Sequence, residues 1–409
     1  MSDSTRVAAW LALLAIGLFP VQGRAYEAVA VAAGWFHTCA ITPLGDLECW
    51  GDNRAGQLGD GTQDSRSLPG AVAGLGSGVL AVTAGDDHTC AITTESGVMC
   101  WGNNSGFQLG NGSFSPSLVP TPTFGLASGV DAISAGNAHN CALSSGSLQC
   151  WGNNNFGQLG DNNAPNAAST PVEVEGLSSG VAAVSAGTAF TCAIKTGGAL
   201  ECWGDNFHNQ LGDGTTTQRN VPNPVFDLDS GVTAVAAGHQ HTCAVLGGEA
   251  LCWGEGSLGQ LGTGSQADES TPAAVATLAS NTETVAAGRS FTCWLKTNGG
   301  VVCAGANGLG SLGDGTGELS SVPVAVVDLG SGVAQIATGF EHACAITDEN
   351  QLFCWGGNSL GQLGDGTTDP AFEPIGVPEP ALPGLYAAAL LSLAGLARVR
   401  GRSPFWARL

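Results

Sequence analysis

The stretch that decides the fold runs Ala33-Gly34-Trp35-Phe36-His37-Thr38-Cys39-Ala40-Ile41, then Thr42-Pro43-Leu44-Gly45-Asp46, and returns through Leu47-Glu48-Cys49-Trp50-Gly51. If Cys39 faces Cys49 across a hairpin, Ala40 pairs with Glu48, Ile41 with Leu47 and Thr42 with Asp46. Pro43-Leu44-Gly45 is then left as a three-residue turn, whose last position wants a left-handed residue such as glycine. The stretch therefore reads as two short antiparallel strands with their cysteines directly opposed.

The same stretch recurs seven times. All fourteen cysteines fall into pairs: Cys39 and Cys49, Cys90 and Cys100, Cys141 and Cys150, Cys192 and Cys202, Cys243 and Cys252, Cys293 and Cys303, Cys344 and Cys354. The first members lie 51, 51, 51, 51, 50 and 51 residues apart, and none is left over. Where a pair is spaced by ten, the last turn residue is Gly45, Gly198, Gly299 or Asn350, with Ser96 the one poor fit. Where it is spaced by nine, the pairing leaves the two-residue turns Ser145-Gly146 and Gly247-Gly248, which suit the primed turns of tight hairpins. Both spacings keep the cysteines opposed, at a Cα separation of about 4.5 to 5.5 Å that overlaps the range a disulfide accepts. Seven cross-strand disulfides formed in an oxidising compartment are expected. Zinc sites use close C-x-x-C spacing with further ligands, and no such set occurs.

Outward from the hairpin, each repeat reads as a β-branched or alanine-rich run ending in Ala-Gly, as in Val181 to Gly187, then the cysteine hairpin. A Gly-Gln-Leu-Gly loop follows, and a second short run such as Thr170 to Val174 closes the unit. Four short strands per unit with glycine-rich connections is the pattern of propeller blades, which cannot bury both faces until the ring closes. The expected fold is all-β, a seven-bladed β-propeller over residues 26–377. Composition agrees: 409 residues hold 63 glycines and only 11% charged residues. Between Tyr26 and Pro380 there are 33 acidic and six basic residues, a balance of −27 that repels phosphate backbones, so nucleic acid is not an expected partner.

The ends differ from the body. Arg6, an apolar run from Val7 to Phe19, Pro20, and the small residues Gly23 and Ala25 read as a signal peptide over residues 1–25, with the mature chain starting at Tyr26. At the other end, Pro378-Glu379-Pro380 precedes an apolar stretch from Ala381 to Ala397 and then Arg398, Arg400 and Arg402. Seventeen helical residues rise about 25 Å, slightly short of a hydrocarbon core of about 30 Å, and the arginines would hold the tail, 403–409, on the cytoplasmic side. Residues 378–402 resemble the PEP-CTERM sorting signal of Gram-negative envelope proteins. That resemblance implies a transient inner-membrane anchor and an exosortase as processing partner, cutting near Pro378, Glu379 and Pro380. A cell-envelope or extracellular destination follows.

Ala-Gly-x-x-His-Thr-Cys-Ala, x-Cys-Trp-Gly-x-Asn and Gly-Gln-Leu-Gly-Asp-Gly resemble the repeats of the regulator of chromosome condensation family over about Glu27 to Val377. The family implies a seven-bladed propeller and a range of functions, including nucleotide exchange, light sensing and inhibition of β-lactamase. Exchange on a cytosolic GTPase conflicts with export, and chromatin binding conflicts with the charge. The sixth unit departs from the pattern, with Cys303-Ala304-Gly305 for Cys-Trp-Gly and Gly310-Ser311-Leu312-Gly313 for the glutamine motif. Trp294, beside Cys293, is placed to fill the missing volume.

Repeated polar residues are read as structural. His37, His88, His139, His241 and His342 share their position with Phe190 and Phe291, so volume governs it rather than metal binding or acid-base chemistry. Trp50, Trp101, Trp151, Trp203, Trp253 and Trp355 are expected between blades. Gln57, Gln158, Gln260 and Gln362 are expected to satisfy buried loop groups. Asp60, Asn111, Asp161, Asp213, Asp314 and Asp365, with Thr263 as the exception, read as turn caps before calcium ligands. No repeat carries an insertion, and glycine strings such as Gly74-Leu75-Gly76 precede no helix, so the period leaves no asymmetric feature for an active site. The expectation is a monomeric, non-enzymatic binding or structural propeller with no catalytic, cofactor or metal site and an unidentified polysaccharide or protein ligand. A secreted inhibitor of a hydrolase is the alternative.

Overall fold

A computed structural model describes residues 25–379; the expected signal peptide up to Arg24, and the apolar stretch and arginine cluster of the expected sorting signal from Pro380 onward, lie outside the described residues. The body contains 28 strands in seven four-stranded antiparallel sheets, each built from four consecutive strands. In the first blade these are β1 (Ala30–Ala33), β2 (His37–Ile41), β3 (Leu47–Gly51) and β4 (Arg66–Ala71). Antiparallel order sorts the connections onto two faces. The β1–β2 turns and the long loops after β3 share an upper face, and the cysteine hairpins and interblade linkers share a lower one.

The register is the one the cysteine spacing dictates, with Cys39 opposite Cys49, Ala40 opposite Glu48 and Ile41 opposite Leu47. All seven pairs are bonded, at Cα separations of 4.0 to 4.1 Å. That is closer than the expected 4.5 to 5.5 Å, because the covalent link draws the opposed residues together. The turns behave as their residues require: Gly45 sits at φ 81°, and Ser145-Gly146 and Gly247-Gly248 have both residues left-handed. Ser96 adopts φ 57° despite its side chain, so the poor fit in sequence is met by backbone strain rather than by a different turn.

Seven apolar cores lie between neighbouring blades rather than within them. One, for example, gathers Ile41, Leu47, Leu58, Val72 and Leu75 of the first blade with Val79, Ala91 and Trp101 of the second. The seven tryptophans Trp50, Trp101, Trp151, Trp203, Trp253, Trp294 and Trp355 are fully buried in these seams. Each outer strand carries a proline at the same place: Pro69, Pro120, Pro171, Pro222, Pro272, Pro323 and Pro374. With no N–H to offer, these prolines blunt seven edges that could otherwise template pairing with other chains.

The ring closes with residues from the N-terminal side of β1. In six blades a linker leucine (Leu75 in the first) receives the N–H of the third strand, as in Leu47 N–H to Leu75 O at 3.0 Å, and donates back to the end of the outer strand. In the seventh blade Tyr26 takes that role: Leu352 N–H donates to Tyr26 O at 3.1 Å and Tyr26 N–H to Val377 O at 2.9 Å. The Tyr26 ring is buried edge-on against Trp50, and Ala25 bridges to Pro378.

Candidate functional site

The repeated histidines form a blade-to-blade relay. His37 Nε2 lies 2.9 Å from Thr89 Oγ1 in the next blade, and that hydroxyl donates to Gln57 O at 2.8 Å. In the second blade the acceptor is Asn140 Oδ1, which cannot donate, so His88 Nε2 carries the proton; Asn140 Nδ2 then donates to Gln108 O. The seam that closes the ring uses the same set, His342 Nε2, Thr38 Oγ1 and Gln362 O, while the seams of Phe190 and Phe291 lack the histidine. Burial holds these imidazoles far below their ordinary value, to about 4 for His88 and about 3 for the other four. The rings fill space that only glycine leaves: a Cβ on Gly34 would stand 2.4 Å from His37 Cε1. Phe291 faces Ala343, so donor and acceptor are absent together at that seam.

Most of the other repeated groups also pair internally, although Nε2 of Gln57 and Gln260, like Nδ1 of the five histidines, finds no partner. Trp101 Nε1 donates to Gln57 O, and Gln57 Oε1 accepts from Ala55 N. Asp60 Oδ1 caps its turn by accepting from Thr62 N and Thr62 Oγ1, and receives the buried Asn53 amide. Where Thr263 replaces the aspartate, Gly256 replaces that asparagine, and Asp268 caps the loop instead. In the sixth blade Trp294 occupies the seam: its ring touches the space above Gly262, where the other tryptophans sit on the equivalent glycines. Its indole nitrogen has no partner, unlike those that reach the preceding carbonyl.

What the repeat does not fix is the pair of residues after each Ala-Gly, or Thr338-Gly339 in the seventh unit. The innermost strands surround a central funnel of about 260 Å³, and its upper mouth is ringed by Trp35, Asp86, Asn137, Thr188, His239, Arg289 and Phe340. No two are alike. The asymmetry of the ring is not an insertion but a substitution series at the positions that follow the repeated glycine. The signal in the sequence is substitution rather than excess length: seven different residues follow the repeated glycine, while the cysteines and the glycine itself stay fixed.

The mouth has two unlike halves. Trp35 leans across the axis to His239, with ring centroids 6.4 Å apart. On one side of that line Phe340 packs against Trp35 at 4.4 Å and Phe36 at 5.3 Å, and the Arg289 guanidinium lies 4.3 Å above the Phe340 ring with Glu341 at 3.8 Å. On the other side stand Asp86, Asn137 and Thr188. Asn137 Nδ2 donates to Asp86 Oδ2. Burial and the adjacent Asp87 push the Asp86 carboxyl up to about 9, and burial and Asp52 raise Asp87. Arg54, which acts on Asp87, is committed to Asp52 through two 2.9 Å contacts. Burial and Arg289 hold His239 below its ordinary value. The same face also carries the Phe156–Phe207 edge contact, with Phe207 67% exposed.

A seven-bladed propeller with buried repeat side chains and an irregular funnel mouth defines a scaffold of the binding kind. The RCC1-like domain model matches residues 17–293 and the RCC1 repeat model residues 333–362, and the chain belongs to this family of binding and regulatory propellers. It is 32% identical to the ultraviolet-B receptor UVR8 of Arabidopsis thaliana over 360 residues, 86% of this chain and 70% of that one. It is 31% identical to the human E3 ubiquitin-protein ligase HERC2 over 227 residues, 54% of this chain but only 5% of that ligase. Among solved structures, Prp20p of Saccharomyces cerevisiae aligns with TM-score 0.73 at 21% identity, covering 87% of this chain and 88% of that one. Human WBSCR16 aligns with TM-score 0.69 at 24% identity, covering 79% and 87%.

Proposed function

We propose that this chain is an exported, non-enzymatic binding propeller of the cell envelope that seats a macromolecular partner on its upper face, over the funnel mouth. The observation that carries the reading is the contrast between seven near-identical blades, whose repeated side chains are buried in the seams, and one ring of seven unlike side chains at the mouth. Export rests on the signal-peptide pattern up to Ala25 and on seven disulfides that require an oxidising compartment. Residues 378–402 act in this account as a sorting signal cut by an exosortase-type enzyme near Pro378-Glu379-Pro380, which releases or transfers residues 26–377 outward. In Prp20p the related fold serves a protein said to bind Gsp1p and histones, which supports a macromolecular ligand here without naming it. A screen of glycans and envelope proteins tests the reading, run against the intact protein and a Trp35→Ala, Asp86→Asn variant. Ligands lost with the variant support it; ligands indifferent to the variant contradict it.

A secreted inhibitor of a hydrolase is a second reading, favoured by the clustering of Trp35, Phe36, Phe340, Phe156 and Phe207 on one face. Nanomolar inhibition of a periplasmic or secreted hydrolase, abolished by Trp35→Ala, would establish it.

A further inference from the structure

Resting on the proposed binding role of the mouth, we infer that its open half, bounded by Trp35 and Asp86, is a seat for a cationic side chain, an arginine or lysine presented by a protein partner. The Trp35–His239 contact divides the mouth, and the arc through Arg289 and Phe340 is already filled by their own stack. That stack shows what the aromatic cluster accepts, since a guanidinium on a ring face is held by the ring quadrupole. The remaining arc offers the ring of Trp35, the Asp86 carboxyl, the Asn137 amide and the Thr188 hydroxyl, all lining one cavity.

Charge complementarity selects the occupant. Asp86 is 9% exposed, and the bond it receives from Asn137 is neutral. Asp87 beside it is part-buried; Arg54 is tied to Asp52, and Arg289, which lines the same cavity, is stacked on Phe340. A buried carboxyl without a counter-charge favours its protonated form, and an arriving cation reverses that preference. Binding should therefore expel a proton from Asp86 and strengthen as pH rises. The charged or titratable groups around it are Asp87, Asp52, Arg54, His239, Arg289 and Glu341. The body balance of −27 steers a basic partner inward and an anionic one away.

Trp35 also supplies the readout, as it is the one tryptophan among the described residues that is not fully buried. The test uses the full chain and three blocked pentapeptides, Gly-Ser-Arg-Ser-Gly, its lysine counterpart and its citrulline analogue, the last keeping the shape without the charge. Binding is measured by calorimetry and by protection from acrylamide quenching, with Trp35→Phe identifying the signal. The expected Kd for the arginine peptide is on the order of 1 mM, at least tenfold weaker for citrulline, weakened again by Asp86→Asn, and tighter at pH 8.5 than at pH 6. Equal binding of the arginine and citrulline peptides overturns the inference without recourse to any variant, as does a wild-type response unchanged by Asp86→Asn in a protein of normal melting behaviour. An oligosaccharide that protects Trp35 where the peptides do not overturns the cationic seat but leaves the mouth as the binding site. No protection by any ligand, with partners mapping to the lower face, overturns both.

Discussion

Lowering the pH should unlock the histidine relay, and the size of the effect can be worked out. His37, His88, His139, His241 and His342 are fully buried, and neutral in the fold down to about 3 or 4. The unfolded chain takes up protons at these residues once the pH falls below about 6.5. Folded values depressed in this way give stability that is present above 6.5 and lost as the pH falls towards the folded values. Between pH 7.5 and 5 each histidine then costs about 2 kcal/mol and the five together about 10 kcal/mol. Asp86 acts in the opposite sense. Its folded value is raised, so the fold gains about 3 kcal/mol from it over the same interval, and Asp87 and Glu48 add in that direction. A loss of at most about 7 kcal/mol remains, comparable with the whole stability of an ordinary domain. Urea unfolding followed by circular dichroism at several pH values, disulfides intact, reads this as a slope approaching four protons per molecule. His139→Phe, which copies the side chain native at Phe190 and Phe291, should lower that slope by about one. A stability flat from pH 7.5 to 5, or a slope unchanged by His139→Phe, would refute the relay as the source of acid sensitivity.

Further outcomes concern the seams and the staples. Ala304→Trp alone should overpack the sixth blade by about 1–3 kcal/mol, because Trp294 holds that space. Combined with Trp294→Leu it should recover most of the loss, as the new indole can reach Gln260 O; additive losses in a double-mutant cycle would contradict this. Tyr26→Ala should cost about 3 kcal/mol and raise hydrogen exchange at the amides of Leu352 and residue 26, the two donors of the closing pair. Replacing Cys192 and Cys202 together by alanine should cost about 2.7 kcal/mol from loop entropy. Intact mass after alkylation, with and without reduction, should show fourteen protected thiols in the exported protein.

Much of the fold was legible because each blade states it again. The spacing of Cys39 and Cys49 encodes a register, and the change from ten to nine residues at Cys141 and Cys150 is matched by a shorter turn. The interchange of His37-type residues with Phe190 marked a packing position, and the seam geometry agrees. Trp294 could be read as the replacement for the tryptophan missing at 304 because a packed seam needs its volume filled. Two features were less legible. Tyr26 closes the seventh blade in place of a linker leucine, and nothing local to Tyr26 distinguishes an edge residue from the start of a strand. The funnel mouth was only partly legible, because the variation at Trp35, Asp86 and Asn137 is visible along the chain but its meaning is not. Only the ring brings positions 51 residues apart around one axis and makes their differences a surface.

The measurement that tests the account most directly is hydroxyl-radical footprinting of the protein with and without whichever macromolecule the ligand screen returns. Protection confined to Trp35, Phe36 and Phe340 at the mouth, with Leu44 and Leu80 towards the lower face still fully reactive, is the predicted pattern. Protection of Leu44 and Leu80, with the mouth left open to oxidation, would contradict it.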